Sequence, residues 1–332
     1  MGSSPLVVGL DIGGTKLNAG LVTADGVVVT RARRPTPASE GGPAVYAAVE
    51  SLVAELIAAA PAPVTAIGVG SPGHIDFATG NVTWCTPNLP GWSGLPLASN
   101  LAARFGIPTV ADNDANAALY GEVWQGGARG CEHALLLTLG TGVGGGILSH
   151  GQMIRGHRGG GAELGHIIIA IDGRPCNCGQ RGCRESYPPG PPGGTVARER
   201  PSAGEPSGRA APAGSIAAVT SHHVFAAFHT GDPVARSVMG ELADHLAVGI
   251  VTLVNIFQPE RILLGGGVAS QGDVLLELIR MATRTRFCNA PLAADLIDLA
   301  RLGEDAGLIG AAGLAWHHVQ PGRNPQRDPH HA

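Results

Sequence analysis

Aromatic residues make up only 4% of this 332-residue chain, with four tryptophans, three tyrosines and six phenylalanines. That excludes a core built on large rings; aliphatic packing and tight turns must shape the fold, and 51 glycines and 25 prolines suit that task. No apolar run reaches the length needed to cross a bilayer, and the best stretch, Val248 to Ile256, is interrupted or flanked by polar residues. No apolar leader follows Met1, because Gly2-Ser3-Ser4-Pro5 passes straight into a strand-like run. Nor are the 22 basic residues massed on one stretch, and the net charge is −4 with a pI near 6.3. Nucleic acid and membrane are therefore poor partners, and a soluble, cytoplasmic protein is expected. Cysteine is sparse, six in all, and Cys85, Cys131 and Cys288 stand alone as small buried hydrophobes would. A disulfide framework does not fit such a chain.

The other three cysteines are concentrated in Cys176-Asn177-Cys178-Gly179-Gln180-Arg181-Gly182-Cys183, shortly after Gly161-Ala162-Glu163-Leu164-Gly165-His166. Three thiols cannot pair off among themselves. With the imidazole of His166 they complete a closed tetrahedral shell, the structural form of zinc binding, and a loose redox cluster is the competing reading. Chemistry must then lie elsewhere, but a zinc knot would hold the acids that flank it, Glu163 and Glu185, in fixed positions.

Leu6 to Leu10 runs into Asp11-Ile12-Gly13-Gly14-Thr15-Lys16, and strand patterning resumes over Leu17 to Val22 and Val27 to Thr30 around the turn Asp25-Gly26. Three consecutive antiparallel strands opened by a glycine hairpin are predicted. Ala44 to Ala59 has helical spacing, with Val45, Val49, Leu52, Val53 and Leu56 on one stripe, and Val64 to Val69 is the next strand. Ser71 to Pro96 is turn-rich and reads as a ligand-facing loop. After a helix over Leu97 to Phe105 and a strand over Pro108 to Ala111, Asp112-Asn113-Asp114 carries the capping residues of a helix start.

Ala134 to Leu139 then enters Gly140-Thr141-Gly142 and a strand at Ile147-Leu148, repeating the opening plan and suggesting a duplicated fold. Residues 188–214 turn proline- and glycine-rich, which favours an extended or mobile segment. Helices are predicted over Ile216 to Phe228 and from Asp232, an N-cap followed by Pro233, to Leu253; a buried strand over Arg261 to Leu264 enters Gly265-Gly266-Gly267. The length suits two domains, expected at 1–112 and 113–320 with the C-terminal helix packing back on the first, and a frayed tail over 321–332.

Three strands thus end in glycine clusters, where backbone N–H groups can approach phosphate oxygens without a Cβ in the way. With Thr15, Lys16 and Thr141 beside them, a nucleotide is favoured. The P-loop order is absent, since Thr15 precedes Lys16 and a strand follows. Gly140, Gly142 and Gly145 satisfy G-x-G-x-x-G, but a strand follows where a dinucleotide site needs a helix.

Asp11-Ile12-Gly13-Gly14-Thr15-Lys16, the Asn113-Asp114 pair, Gly140-Thr141-Gly142, Glu163-x-x-His166 and the cysteine knot together closely resemble the ROK family of repressors, open reading frames and sugar kinases. The resemblance spans nearly the whole chain, and the knot is its most specific element. It implies an α/β fold of two actin-like (ribonuclease H-like) domains, with ATP and a hexose meeting in the cleft between them. It further implies that Asp114 is the general base, which suits a hydroxyl nucleophile that must lose a proton. By the same resemblance Gly73, Asn113, Glu163, His166 and Glu185 contact sugar. Asp11, Gly13, Gly14, Thr15, Lys16, Gly140, Thr141 and Gly142 lie about the phosphates, and Gly265, Gly266 and Gly267 beside adenosine. Mg2+ is implied with ATP, and His166, Cys176, Cys178 and Cys183 are the implied ligands of structural Zn2+. A dimer or tetramer would follow the family habit.

Each residue also has a plainer reading: Asp114 as a helix cap, Glu163 and Glu185 as solvated acids, Lys16 as a surface charge. One departure is visible, because the run after Glu185-Ser186-Tyr187 is Pro188-Pro189-Gly190-Pro191-Pro192, where the family continues into a helix. A glucokinase is the expected activity, with N-acetylmannosamine, N-acetylglucosamine, mannose and fructose as alternative substrates. A sugar-sensing repressor is the rival from another class. Only six residues precede Val7, where such repressors carry a helix-turn-helix, and a sensor has no need of a base, so DNA binding is not expected.

Overall fold

The computed structural model describes residues 4–140, 142–187, 221–267 and 272–319. In chain order these form β1 (Leu6–Ile12), β2 (Lys16–Val22), β3 (Val28–Pro35), α1 (Gly42–Ala58), β4 (Val64–Ser71), β5 (His74–Asp76), β6 (Asn81–Trp84), α2 (Leu97–Phe105), β7 (Thr109–Asn113) and α3 (Asp114–Gln125). They continue as β8 (Ala134–Leu139), β9 (Val143–Ser149), β10 (Gln152–Met153), α4 (Ser221–His229), α5 (Pro233–Phe257), β11 (Arg261–Gly265), α6 (Asp273–Arg286), β12 (Ile297–Leu299) and α7 (Ala306–Val319). The predicted segment 188–214, the start of the helix predicted from Ile216 and the tail 321–332 lie outside the described residues.

The chain divides into two compact units, one of Met1–Glu132, Gly146–Ala162 and Arg301–Ala332, the other of His133–Gly145 and Glu163–Ala300. The division falls after Glu132, where the sequence suggested a break after Asp112, because α3 packs against α7 inside the first unit.

The first unit holds the sheet β3-β2-β1-β4-β7, antiparallel through β3, β2 and β1 and parallel from β1 to β4 and β7. Strands β1, β2 and β4 are buried nearly throughout, so they read as continuous apolar runs, while β3 at the edge alternates. One face of the sheet is covered by α1 and α2 through Val45, Val49, Leu52, Leu97 and Leu101. The other is covered by α7 through Leu308, Ala312, Ala315 and Trp316. This second contact is close because its residues are small: a Cβ on Gly68 would strike the Ala311 carbonyl, and one on Gly310 would strike that of Ala117.

In the second unit β8 is parallel to β11 and β11 to β12; of the remaining strands of this sheet, β9 from Gly146 onward and β10 are counted with the first unit. The order β10-β9-β8-β11-β12 repeats β3-β2-β1-β4-β7, the duplication that the two glycine hairpins suggested. Strand β9 starts at Val143 rather than Ile147, because the glycines themselves are strand and Leu164 fills the space a Cβ on Gly145 would take. The stretch from Ser71 to Pro96 also departs from the prediction, since it carries the β5-β6 hairpin. Asp232 caps α5 as predicted, its carboxylate accepting the Ala235 N–H at 2.8 Å. By length and composition α5 is apolar enough to span a bilayer, contrary to the reading of the sequence. Leu242, Leu246, Ile250 and Leu253 are nonetheless buried inside the protein, as in the core helix of a folded domain.

Candidate functional site

In the first unit the ends of three parallel strands converge on the predicted residues. Asp11 of β1 stands opposite Gly70 of β4, which in turn stands opposite Asp112 of β7, with Ser71 beside Asn113. Ligands of open parallel sheets collect at this carboxyl edge. Gly70 lets α3 approach the sheet, because a Cβ there would lie 3.2 Å from that of Ala117 and 3.5 Å from the Asp114 Cα. The plainer reading of Asp114 as a cap is answered locally. Asn113 is the N-cap, its Oδ1 accepting the N–H groups of Ala115 and Asn116 at 3.0 and 3.2 Å. That cap contributes about 1 kcal/mol by itself, so Asp114 is not needed for it, although its Oδ1 also accepts the Ala115 N–H at 2.8 Å. Asn113 Nδ2 donates to the Gly73 carbonyl at 3.1 Å, joining two predicted sugar contacts.

Asp11 is close enough to Asp114 for each carboxylate to feel the other. Burial chiefly, then repulsion from Asp114, raises the Asp11 carboxyl to about 7, with Lys16 pulling the other way. Gly13 and Lys16 close the hairpin through a Gly13 N–H to Lys16 carbonyl bond at 3.0 Å, leaving Gly14 and Thr15 exposed at its tip. Lys16 itself is ion-paired with Glu304 at 2.8 Å.

One residue of this site escaped the sequence reading. Gly307, in the first turn of α7, faces Asp11 so closely that a Cβ would lie 2.6 Å from the carboxylate carbon. A glycine carries no chemistry, and nothing in its local sequence marks it. Gly307→Ala is expected to displace the Asp11 carboxylate and, by overpacking, to cost about 1–3 kcal/mol in urea unfolding.

In the second unit Glu163 and His166 share one 3-10 turn, closed by the His166 N–H on the Glu163 carbonyl at 3.0 Å. The turn packs on the start of β9, where a Cβ on Gly165 would strike the Val143 carbonyl. Glu185 reaches the same place, its Oε2 accepting the Val143 N–H at 3.1 Å. A Cβ on Gly142 would lie 2.8 Å from that oxygen, so Gly142 serves the Glu185 contact as well as the turn. The proline run after Tyr187 has not prevented an ordered turn over Arg184–Ser186. Gly140 ends β8, and Gly266, at φ 85°, lies against Leu139 of the same strand, so the Gly140, Gly142 and Gly265–Gly267 clusters are neighbours. Thr141 lies outside the described residues.

His166, Cys176, Cys178 and Cys183 converge, their ligand atoms all within 4.8 Å of one another. Cys176 Sγ is 3.7 Å from His166 Nδ1, and Cys178 Sγ is 3.6 Å from Cys183 Sγ. A tetrahedral ion with bonds of roughly 2.0–2.3 Å has edges of roughly 3.3–3.8 Å, so the donor set fits zinc. Nδ1 is thus the nitrogen turned to the thiols. Burial first, then its sulfur neighbours, pushes the Cys183 thiol up to about 12, a crowding that a cation would relieve.

Arg184, between Cys183 and Glu185, is 1% exposed, and its three guanidinium nitrogens have no hydrogen-bond partner among the described residues. Its stem lies against Gly249 of α5, and burial lowers it to about 9. Arg184→Met is expected to stabilise the protein by about 1–3 kcal/mol in urea unfolding. A fall in the midpoint would mean that acceptors outside the described residues serve the guanidinium.

A family model described as ROK family matches residues 7–318. The chain is 35% identical over 313 residues to a glucokinase of Thermotoga maritima, covering 94% of this chain and 98% of that protein. It is 36% identical over 315 residues to a glucokinase of Streptomyces coelicolor, covering 93% and 97%. Among solved structures, a ROK family glucokinase from Streptomyces griseus in complex with glucose and AMPPNP superposes with a TM-score of 0.80 at 35% identity, covering 93% of this chain and 99% of that one.

Proposed function

The chain belongs to the ROK family, and on that premise we propose that it is an ATP-dependent hexose kinase that converts glucose to glucose 6-phosphate. The family fold of actin-like α/β domains is that of its solved neighbours. The observation that supports the reading is the carboxylate of Asp114, set at the strand ends of the first unit near enough to Asp11 to raise its pKa, at a helix start that Asn113 already caps.

Asp114 takes the proton of the attacking primary hydroxyl as its oxygen bonds to phosphorus, which turns a poor nucleophile into a competent one. In the first unit, Gly13 closes the hairpin, Gly14 and Thr15 at its exposed tip offer backbone N–H groups to phosphate oxygens, and Asp11 would hold Mg2+. Mg2+, when bound, offsets charge on the transferring phosphoryl group. Lys16 reaches phosphate only by leaving Glu304. In the second unit, Gly140, Thr141 and Gly142 serve the phosphates and Gly265, Gly266 and Gly267 the adenosine. Glu163, His166 and Glu185 there offer two carboxylates and an imidazole to sugar hydroxyls; in the first unit Gly73 and Asn113 are assigned to sugar by the family resemblance. Zn2+ on His166, Cys176, Cys178 and Cys183 would be structural, and with Nδ1 committed to it, His166 keeps Nε2 for the sugar.

A coupled assay with ATP across glucose, mannose, fructose, N-acetylglucosamine and N-acetylmannosamine tests this. Glucose is expected to give the largest kcat/KM. Turnover of none of the five would sink the kinase reading and leave a sugar-sensing role.

A further inference from the structure

Asp112 is 1% exposed and stands immediately before the Asn113-Asp114 pair. Its Oδ1 accepts both the Asn113 N–H at 2.8 Å and the Asn116 side-chain amide at 3.1 Å. It therefore ties the last residue of β7 to the first turn of α3, on either side of Asp114. Its other oxygen, Oδ2, accepts Arg155 Nε at 2.8 Å. Burial pushes the Asp112 carboxyl up, and Arg155 is the largest opposing influence. Arg155 is itself held in place, with its guanidinium carbon 3.7 Å from the centre of the Phe77 ring. The edge of His318, near the end of α7, meets that ring at 4.8 Å.

The backbone of Arg155 makes a second connection. Its carbonyl accepts the Gly161 N–H at 2.8 Å, closing a glycine loop over residues 155–161. The loop is seated on the β5-β6 hairpin, where Thr83 donates to the Arg158 carbonyl at 3.3 Å and Gly160 lies against His74. It ends at Ala162, held at φ 63°, and the next residue of the chain is Glu163. A left-handed alanine costs roughly 1 kcal/mol, so surrounding contacts impose this exit.

We infer that Arg155 is a positioning residue for the kinase reaction: through Asp112 it sets the backbone that carries Asn113 and Asp114, and through its carbonyl it closes the loop over residues 155–161. The inference rests on the kinase reading. A buried carboxylate deprived of its cation turns or draws in water, and either change loosens the two N–H bonds at Oδ1. The base then loses its set direction while the nucleotide hairpin at Gly13 and Gly14, on another strand, is untouched.

The test is Arg155→Met beside Arg155→Lys in the full chain. The methionine variant is expected to lose about 10-fold to 100-fold in kcat with its KM for ATP within about twofold, at a temperature where circular dichroism shows it folded. Hydrogen exchange read by mass spectrometry is expected to rise at least about fivefold in a peptide covering residues 112–118. The lysine variant, which keeps a cation for Asp112, is expected to recover about a tenth or more of the wild-type kcat, and carries the test should the methionine variant fail to fold. A methionine variant with kcat within twofold of wild type, or with unchanged exchange at 112–118, overturns the inference. Inactivity of the unmutated chain on every hexose would sink the kinase reading instead, and the exchange measurement would still decide whether Arg155 orders the start of α3.

Discussion

Asp114→Asn is expected to lower kcat for glucose phosphorylation by about 10²-fold to 10⁴-fold, the range that a positioned general base contributes. Asparagine preserves size and can still accept the Ala115 N–H that Asp114 accepts at 2.8 Å, and Asn113 continues to cap α3. The substitution therefore removes the proton acceptor and little else. Glucose binding, followed by calorimetry without ATP, is expected to weaken less than about tenfold. The repulsion that helps raise Asp11 also disappears, so nucleotide binding should be retained. A variant with kcat within threefold of wild type would take the role of base away from Asp114 and with it the observation on which the functional proposal stands.

Removing zinc should have the second large effect. Cys183 is fully buried, lies 3.6 Å from Cys178, and bridges to Ile168 on the strand-like segment beyond His166. Cys183→Ser replaces a thiolate with a hydroxyl that ligates zinc poorly. Among the described residues, the turn carrying Glu163 and His166 and the turn carrying Glu185 are joined by backbone bonds such as Ile169 N–H to Gly182 and Arg184 N–H to Ile167, both at 2.8 Å. A loss on the order of 4 kcal/mol or more in urea unfolding is expected, together with a fall from one zinc per chain to near none by elemental mass spectrometry. Under the proposed function glucose turnover should fall with it, since the ion would order the side chains assigned to the sugar. Retention of both zinc and stability by Cys183→Ser would show that the knot is held by its own backbone.

Local chemistry was legible where a residue type and its spacing carry the constraint. The knot could be read because zinc demands particular donors at particular spacings, and the same four residues converge. The glycine hairpins could be read because each lies between two strand-like apolar runs, and the strand order is indeed repeated. Asn113-Asp114 could be read as a helix start, and the structure divides the labour, with Asn113 as the cap. Other features were illegible for a common reason. Gly307 matters only because α7 returns against Asp11, nearly 300 positions away in sequence. Arg155 pairs with Asp112 across 43 residues, and Lys16 with Glu304 across the length of the chain. No periodicity or motif encodes such pairings.

The amino-acid sequence by itself determined the chemistry available here: three thiols and an imidazole at a zinc-binding spacing, glycines at strand ends, and a carboxylate at a helix start. These follow from bond geometry and short-range sterics, which act within a few residues. Only the tertiary structure decided which groups are buried, which are paired and which are crowded. It turned Asp11 into a carboxyl near neutrality, left Arg184 without a partner among the described residues, and set Arg155 behind the base. Burial and long-range pairing depend on how sheets and helices close around a core, and that closure brings together residues the chain keeps far apart.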